Sequence, residues 1–401
     1  MSMYGLIKES EKNILHTYKR LPVVFQNGKG CYLYDVEGKK YLDFTAGIAV
    51  NALGYHYPEY DNALKEQIDK LIHISNLYYN EPSTMAGDRL IKVSNMSKVF
   101  FVNSGSEAVE GALKAAKKYA YMRDGHTDHE IIAMNHSFHG RSLGALSVTG
   151  NKHYRESFEP LLNGVKFADF NNLNSVKEQI SDKTCAIIIE IIQGEGGVYV
   201  ADETFLLGLR ELCDEKKLLL IIDEIQTGMG RTGKYFAWQN YEIKPDIMTC
   251  AKALGGGIPG GAFLVNEKVA KSSLKPGDHG TTFGGGPLVC AAMNKMFDIF
   301  ESDNILEHVQ QITPYFENKL DRLVFDYTCV SMRRGMGLLQ GLVVDPMVPI
   351  EKVVLEALKR GLLVTTAGDN VLRFLPPLII TKKHIDEMYE IMREVLSELS
   401  K

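Results

Sequence analysis

The segment KLLLIIDEIQTG (residues 217–228) decides the fold, because an uninterrupted apolar run ends abruptly there in two acids, Asp223 and Glu224. A run that is apolar on both faces is typical of a parallel strand covered by helices on each side of a sheet. An acid at the end of such a strand is costly to bury unless another group pairs with it. The segment therefore predicts a parallel α/β sheet with a ligand beyond the carboxyl end of this strand.

Similar short apolar runs recur on both sides of this segment, between stretches with the amphipathic pattern of helices. The runs are KVFFVN (98–103), EIIAMN (130–135), CAIIIEII (185–192) and DIMTCA (246–251). Strand-like runs that alternate with helical stretches predict a mainly parallel central sheet covered by helices. We expect this sheet to form a large domain over residues 51–290.

The two ends of the chain have a different pattern. Residues 31–44, CYLYDVEGKKYLDF, alternate apolar and polar residues around a turn, which predicts a β-hairpin. After residue 290, helical stretches alternate with strand-like ones such as RGMGLLQGLVV (334–344). We expect residues 1–50 to join a smaller α+β lobe formed by residues 291–401, with the ligand site between the two lobes.

Composition excludes several classes of protein. The chain has 401 residues, 45% of them hydrophobic and 24% charged, and a net charge of -5, as in an ordinary globular protein without a basic field for nucleic acid or anionic lipid. The six cysteines form no C-x-x-C pair, which fits neither a zinc site nor a dense disulfide framework. No apolar run approaches the roughly 18 residues that span a bilayer. We therefore expect a cytoplasmic protein that holds no metal and binds neither nucleic acid nor membrane.

Two features at predicted strand ends could each bind a charged group of a ligand. Asp223 would suit a protonated pyridine nitrogen, whose charge a carboxylate preserves; the alternatives are an exposed strand end or a metal ligand. The residues 103–106, Asn-Ser-Gly-Ser, precede a helix expected to begin at about Glu107, and the N–H groups at a helix start suit a phosphate. The alternative is a plain helix cap by Ser106.

Lys252 follows the run DIMTCA (246–251) and precedes a glycine cluster. Partial desolvation at a strand end favours the neutral amine that attacks carbonyl groups, although an ordinary surface lysine is the alternative. The 29 residues between Asp223 and Lys252 (252 − 223) leave room for one helical crossover and one strand. We therefore expect both side chains at the same sheet edge.

Two further loops carry polar side chains. In NHSFHGRS (135–142), Phe138 could stack on a flat cofactor and Arg141 could grip a carboxylate through two parallel hydrogen bonds; a surface loop anchored by Phe138 is the alternative. In DHGTTFGGGP (278–287), Thr281 and Thr282 could donate hydrogen bonds to a phosphate. Taken by itself, however, this segment predicts a loop and no particular ligand.

Gly228, Gly230 and Gly233 spell the G-x-G-x-x-G pattern of dinucleotide-binding turns, but in the wrong register. In that motif the first glycine closes the strand, whereas here residues 223–227 intervene. The pattern therefore does not predict a nicotinamide cofactor.

Seven motifs, in one order, resemble the class-III (ω-amino) aminotransferases of fold type I, over a span from about Tyr18 to the C-terminus. They are SGSEA (104–108), SFHGR (137–141), EIIQGEGG (190–197), DEIQTGMGRTG (223–233), AKALGGGIP (251–259), HGTTFGG (279–285) and RFLPP (373–377). The resemblance implies the α/β fold of fold type I, a pyridoxal 5'-phosphate cofactor, and a homodimer with active sites at the subunit interface.

The resemblance also assigns roles around the cofactor. Lys252 would bind the cofactor covalently and later move a proton between substrate and cofactor. Asp223 would pair with the ring nitrogen, Gln226 would bond near the ring hydroxyl and Phe138 would stack on the ring. The phosphate would lie between residues 104–106 (Ser104, Gly105 and Ser106) and Thr282 of the neighbouring subunit.

The resemblance implies a substrate site made by Tyr18, Arg141, Glu190, Glu195, Thr281 and Arg373. In the family, Arg141 grips a carboxylate, and Arg373 is masked by Glu195 whenever only one carboxylate is to be held. When they are paired, Arg373 and Glu195 present little net charge to one substrate, and moving Glu195 aside exposes a cation to the other.

Within the family, HTYKRLP (16–22) and GIAVNALG (47–54) most resemble the members that use N-acetylornithine in arginine biosynthesis. We expect a ping-pong transfer of its δ-amino group to 2-oxoglutarate, giving N-acetylglutamate 5-semialdehyde and glutamate. Ile48 stands where ornithine-using relatives usually have a tyrosine that helps to hold the free α-amino group. The alternatives are a 4-aminobutyrate or ornithine aminotransferase, a pyridoxal-phosphate racemase or aminomutase on the same fold, and a non-catalytic binding protein.

Overall fold

The computed structural model of the protein describes residues 2–399. Met1, Ser400 and Lys401, which the predicted segments 1–50 and 291–401 include, lie outside the described residues. The strands are β1 (Phe25–Lys29), β2 (Tyr32–Asp35), β3 (Lys40–Asp43), β4 (Lys98–Val102), β5 (Glu130–Met134), β6 (Val165–Ala168), β7 (Thr184–Glu190), β8 (Ile192–Gln193), β9 (Tyr199–Val200), β10 (Leu219–Asp223), β11 (Ile247–Cys250), β12 (Gly261–Val265), β13 (Val330–Met336), β14 (Leu339–Val344), β15 (Leu362–Leu363), β16 (Thr365–Ala367) and β17 (Val371–Phe374).

The helices are α1 (Met3–Asn13), α2 (Ala46–Ala49), α3 (Pro58–Lys70), α4 (Glu81–Ser94), α5 (Gly105–Asp124), α6 (Leu143–Ser147), α7 (Lys152–Arg155), α8 (Leu173–Gln179), α9 (Glu203–Lys216), α10 (Glu267–Ser272), α11 (Pro287–Ser302), α12 (Ile305–Asp326), α13 (Ile350–Lys359) and α14 (Lys382–Leu399). Three short 3₁₀ helices are Glu156–Phe158, Ala237–Asn240 and Lys252–Gly255. No helix among residues 2–399 has both the length and the apolar composition needed to cross a membrane.

The central sheet has seven strands in the order β4-β12-β11-β10-β7-β5-β6. The strands from β11 to β6 pair in parallel, whereas β12 is antiparallel to both of its neighbours. This arrangement confirms the predicted mainly parallel sheet and its five apolar runs. The prediction missed β6, which has only four residues, and β12, which starts within a glycine-rich loop.

The parallel register aligns three polar side chains at the carboxyl edge of this sheet. Asp223 at the end of β10 pairs with Glu190 at the end of β7 and with Thr249 on β11. Lys252 comes two residues after the last residue of β11. Asp223 and Lys252 therefore do lie at the same edge, as the spacing predicts.

The crossover between β10 and β11 differs from the helical crossover that the spacing predicts. It is an irregular segment whose only helical part is the 3₁₀ helix Ala237–Asn240. Gly230 and Gly233 have φ angles of 83° and 84°, which a right-handed helix cannot contain. The glycine pattern at residues 228–233 lies inside this crossover, five residues past the strand end.

Helix α5 begins two residues earlier than predicted. Its cap is Ser104, whose hydroxyl accepts a hydrogen bond from the Glu107 N–H at 3.3 Å. The capping role suggested for Ser106 is therefore wrong, since the Ser106 hydroxyl instead accepts from the backbone N–H of Arg141 at 3.2 Å.

The predicted hairpin at residues 31–44 forms, as β2 and β3. Strand β15, from the other end of the chain, pairs in parallel with β3. A further sheet has the order β13-β14-β17-β16, and one hydrophobic cluster extends from these strands to those of the central sheet. The buried Arg231 also links the two regions, since its Nη1 donates to the carbonyl oxygens of Leu338 and Pro376.

Helix α5 packs closely on β12 at Gly111, where a β-carbon would lie 2.2 Å from the Phe263 ring. We expect Gly111→Ala to destabilise the protein by up to about 2 kcal/mol, because an overpacking cost of about 1–3 kcal/mol outweighs the gain of roughly 1 kcal/mol in helix propensity. Thermal unfolding of the two proteins measures this. Gly87→Ala in α4 is the matched control, since its β-carbon would meet Val99 at an ordinary 3.4 Å. Equal melting temperatures for both variants would contradict the packing argument.

Candidate active site

A cavity of about 390 Å³ opens at the carboxyl edge of the central sheet. Its wall combines apolar, acidic and basic side chains with backbone from the start of α5. The residues that line it include Asn103, Ser104, Gly105, Ser106, Phe138, His139, Glu190, Glu195, Asp223, Gln226 and Lys252. Most residues predicted to contact a cofactor therefore border a single cavity.

Asp223 is buried and holds a fixed orientation at the floor of the cavity. One carboxylate oxygen, Oδ1, accepts from the Ile225 N–H at 3.0 Å and from the Thr249 hydroxyl at 3.1 Å. The other, Oδ2, forms a 2.7 Å hydrogen bond with Nδ1 of His139. These contacts leave lone pairs on the carboxylate for a ligand.

His139 is a residue of this site that the sequence analysis did not assign. Both His139 and Asp223 are almost fully buried, and His139 Nε2 has no hydrogen-bond partner among residues 2–399. Its position directly after Phe138, in a loop expected to contact the cofactor, was the available signal.

Lys252 projects into the cavity from a strained backbone. Its φ angle is 48°, a conformation that non-glycine residues rarely adopt outside functional sites. The amine takes part in no hydrogen bond or ion pair within residues 2–399. Burial lowers the pKa of Lys252 to about 8, with the charge of Glu195 acting in the opposite direction. A large fraction of the amine is therefore neutral near pH 8, as a nucleophile requires.

Glu190 lies beside Asp223 and borders the cavity. Its Oε2 accepts the backbone N–H of Phe138 at 3.1 Å, which fixes the loop that carries Phe138. Burial, and next the neighbouring charge of Asp223, raise the pKa of Glu190 well above its ordinary value.

Glu195 borders the cavity and forms an ion pair with the buried Arg373, which does not itself line the cavity, with 2.7 Å between Oε1 and Nη1. Burial alone would raise the pKa of Glu195, but the charge and hydrogen bonds of Arg373 lower it overall. The Gln226 amide donates to Glu195 at 3.2 Å and accepts from Arg373 at 3.1 Å. Gln226 therefore stabilises the ion pair, a contact that the sequence did not predict.

The remaining predicted residues lie outside this cavity. Arg141 is exposed next to Phe138, with its guanidinium 5.4 Å from the Phe138 ring centre. Thr281 and Thr282 border a separate hollow, although Thr281 Oγ1 accepts from the Asn103 amide at 3.1 Å. Tyr18 is 71% exposed, and in the part of the chain that the structure describes its ring contacts Arg20 alone. A single chain therefore does not bring Thr282 or Tyr18 to the cavity.

The groups around the cavity are of the kinds that pyridoxal phosphate requires. The start of α5, with the hydroxyls of Ser104 and Ser106, offers the N–H groups that a phosphate requires. Asp223 presents a buried carboxylate for a ring nitrogen, and Lys252 presents an unpaired amine for an aldehyde. These groups surround one cavity rather than separate surfaces.

Comparison with known proteins agrees with this geometry. The family model described as aminotransferase class-III matches residues 14–396. The acetylornithine aminotransferase of Methanocaldococcus jannaschii is 45% identical over all of both chains. That of Aquifex aeolicus is 48% identical over 96% of this chain and 99% of the relative.

Solved structures show the same similarity. An ornithine aminotransferase from Toxoplasma gondii superimposes with a TM-score of 0.95 at 30% identity, over 99% of this chain and 96% of the other. The acetylornithine aminotransferase of Elizabethkingia anophelis gives a TM-score of 0.88 at 31% identity, over 99% of this chain and all of the other. The chain therefore has fold type I and belongs to the class-III aminotransferases, which are enzymes dependent on pyridoxal phosphate.

Proposed function

We propose that this aminotransferase moves the δ-amino group of N-acetylornithine to 2-oxoglutarate, giving N-acetylglutamate 5-semialdehyde and glutamate in arginine biosynthesis. The observation that carries the proposal is the ion pair between Glu195, which lines the Lys252 cavity, and the buried Arg373. Full-length identity of 42–48% to acetylornithine aminotransferases supports the same donor.

The ion pair suits two substrates with different charges. N-acetylornithine carries one carboxylate, remote from its reacting amine, and 2-oxoglutarate carries two. With Glu195 on Arg373, the reacting end of the pocket has little net charge and accepts the amine-bearing end of the donor. When Glu195 moves aside, Arg373 offers a charged fork to a carboxylate beside the reacting carbon. Arg141 binds the remote carboxylate in both cases.

The chain's own residues divide the remaining chemistry. Bound pyridoxal phosphate supplies an electron sink for the negative charge that develops at the reacting carbon. Asp223, held by His139 and Thr249, keeps the nitrogen beside it protonated. The neutral Nζ of Lys252 takes the proton from the substrate's Cδ and so acts as the general base. Phe138 and Gln226 orient the ring between them.

We propose a homodimer in which the partner subunit's Thr282 completes the phosphate site of residues 104–106. Thr282 is exposed at the edge of a separate hollow, and the neighbouring Phe283 is 64% exposed. Leu77, which lines the same hollow, is 86% exposed, and Tyr79, two residues further along the chain, is 100% exposed. Apolar side chains grouped in this way favour burial against a second copy. Tyr18 and Thr281 would reach the substrate in that assembly.

We also propose the division into a large domain of residues 51–290 and a small domain that combines residues 1–50 with residues 291–401. The parallel pairing of β3 with β15 supports the joining of the two chain ends.

The main alternative donors are ornithine and 4-aminobutyrate. The high structural similarity to ornithine aminotransferases favours the first of these. Against it, Ile48 offers no hydrogen bond for a free α-amino group. Ile48 lies in α2, a single turn with positive φ angles throughout, and is 42% exposed.

Single-turnover spectroscopy separates these donors. We expect the absorbance of the lysine-bound cofactor to be lost fastest with N-acetylornithine and to return on addition of 2-oxoglutarate. Ornithine and 4-aminobutyrate, in separate reactions, are the comparison. Faster loss with either would change the donor, and continued turnover of the substrate without any acceptor would indicate a racemase or aminomutase.

The pKa of Lys252 predicts how its reactivity depends on pH. Below about pH 8 the amine is protonated and unreactive, and above about pH 8 it is neutral. We expect reductive trapping of pyridoxal on cofactor-free protein to increase with a midpoint near pH 8, as measured by mass spectrometry of the Lys252 peptide. Lys252→Ala is the control and should show no labelling at this position. A midpoint at the ordinary lysine value of 10.5 would contradict the effect of burial.

Glu195→Gln tests the ion pair, because it leaves Arg373 charged at all times. We expect the donor half-reaction to slow by about tenfold or more, since a buried cation loses its partner, while the acceptor half-reaction changes by less than about threefold. Stopped-flow rates for each half-reaction measure this. Equal losses in both half-reactions would rule out the switching role.

A further inference from the structure

The guanidinium of Arg141 is oriented by aromatic rings rather than by acids. Its central carbon lies 3.8 Å from the centre of the Tyr154 ring and 5.4 Å from that of Phe138. Among the described residues, the only hydrogen bond of Arg141 is made by its backbone N–H, which donates to the Ser106 hydroxyl. Within residues 2–399, no carboxylate or carbonyl oxygen occupies the guanidinium donors. All five donors are therefore available to a ligand.

This arrangement differs from that of the other arginine of the site. Nη1 of Arg373 donates to Glu195, to the Gly194 carbonyl and to Gln226. A partner acid both orients an arginine and uses its donors. An aromatic face orients the planar group by cation–π attraction and leaves the N–H groups free at the edge of the plane.

Tyr154 is itself held in place. It lies in α7, whose first turn is capped by the Asn151 side chain through a 3.0 Å bond from the His153 N–H. Its ring meets the Phe138 ring edge-on, with 6.1 Å between centres and planes at 87°. Phe138 is in turn fixed by Glu190 through its backbone N–H. The Tyr154 ring therefore connects the loop at the cofactor cavity with Arg141.

We propose that Tyr154 is a positioning residue for substrate binding, which stacks on Arg141 and directs its free donors toward the substrate carboxylate. The inference rests on the proposed function, in which Arg141 binds that carboxylate. The aromatic face is the part that matters, because the Tyr154 hydroxyl makes no hydrogen bond within the described residues.

The test compares Tyr154→Leu with Tyr154→Phe in the holoenzyme. Since an exposed cation–π contact is worth about a factor of two to five in affinity, we expect Tyr154→Leu to raise KM for N-acetylornithine and for glutamate by about that factor. We expect kcat to change by less than about twofold, because the reacting groups near Lys252 are untouched. Tyr154→Phe keeps the aromatic face and should stay within about twofold of the unmodified enzyme in both constants.

Two controls make the result specific. Phe167→Leu removes a similar contact, in which Arg155 lies 4.1 Å from the Phe167 ring, but on β6 and away from the cavity; its KM values should not change. The carboxamide of N-acetylornithine lacks the charge that Arg141 binds, so Tyr154→Leu should leave its turnover unchanged relative to the unmodified enzyme.

The outcomes separate this inference from the proposed function. An unchanged KM for glutamate in Tyr154→Leu, or an equal effect on the carboxamide, would overturn the positioning role. If Tyr154→Phe behaves like Tyr154→Leu, the ring face is not what positions Arg141. If the unmodified enzyme turns over glutamate but not N-acetylornithine, the donor assignment fails while the glutamate KM still tests Tyr154.

Discussion

Strand β10 pairs in parallel with β7 on one side and β11 on the other, and this pairing places Asp223 beside Glu190 and Thr249. The same pairing puts Lys252, just past the end of β11, at the same edge. Irregular loops follow the carboxyl ends of parallel strands. Polar side chains can therefore lie at this edge, while the buried strands themselves remain apolar. The active-site cavity therefore follows from the register of three strands.

Burial of charge then gives each group at this edge a distinct role. Asp223 is held by His139, Thr249 and a backbone N–H, whereas the Lys252 amine has no hydrogen-bond partner among residues 2–399 and its pKa is lowered. The buried carboxyl group of Glu190 takes part in one hydrogen bond within the same residues, and its pKa is raised. Unpaired buried charges are unfavourable, so burial keeps a large fraction of the Lys252 amine neutral near pH 8.

The ion pair of Arg373 and Glu195 joins the two regions of the fold. Arg373 lies on β17, in the sheet near the C-terminus, whereas Glu195 follows β8. The Glu195 carbonyl also accepts the N–H of Gly368 at 2.8 Å. Because the pair spans this boundary, the packing of the two regions fixes the distance between its charges. The two arginines of the site are thus held by different means, Arg373 by an acid and Arg141 by aromatic rings.

The sequence alone determined the apolar strands, their parallel pairing and the placement of Asp223 and Lys252 at one edge, because these features depend on local apolar runs and on spacing. It also indicated the class-III aminotransferase family, through seven motifs that occur in the order typical of that family. Tertiary structure decided what joins residues far apart in sequence: the bond of His139 to Asp223, the bond of Gln226 to the ion pair, and the stacking of Tyr154 on Arg141. It also decided that α5 starts at Gly105 and that the described crossover before β11 contains a short 3₁₀ helix rather than an α-helix. Such contacts depend on packing and on competing backbone hydrogen bonds, which no local pattern of residues records.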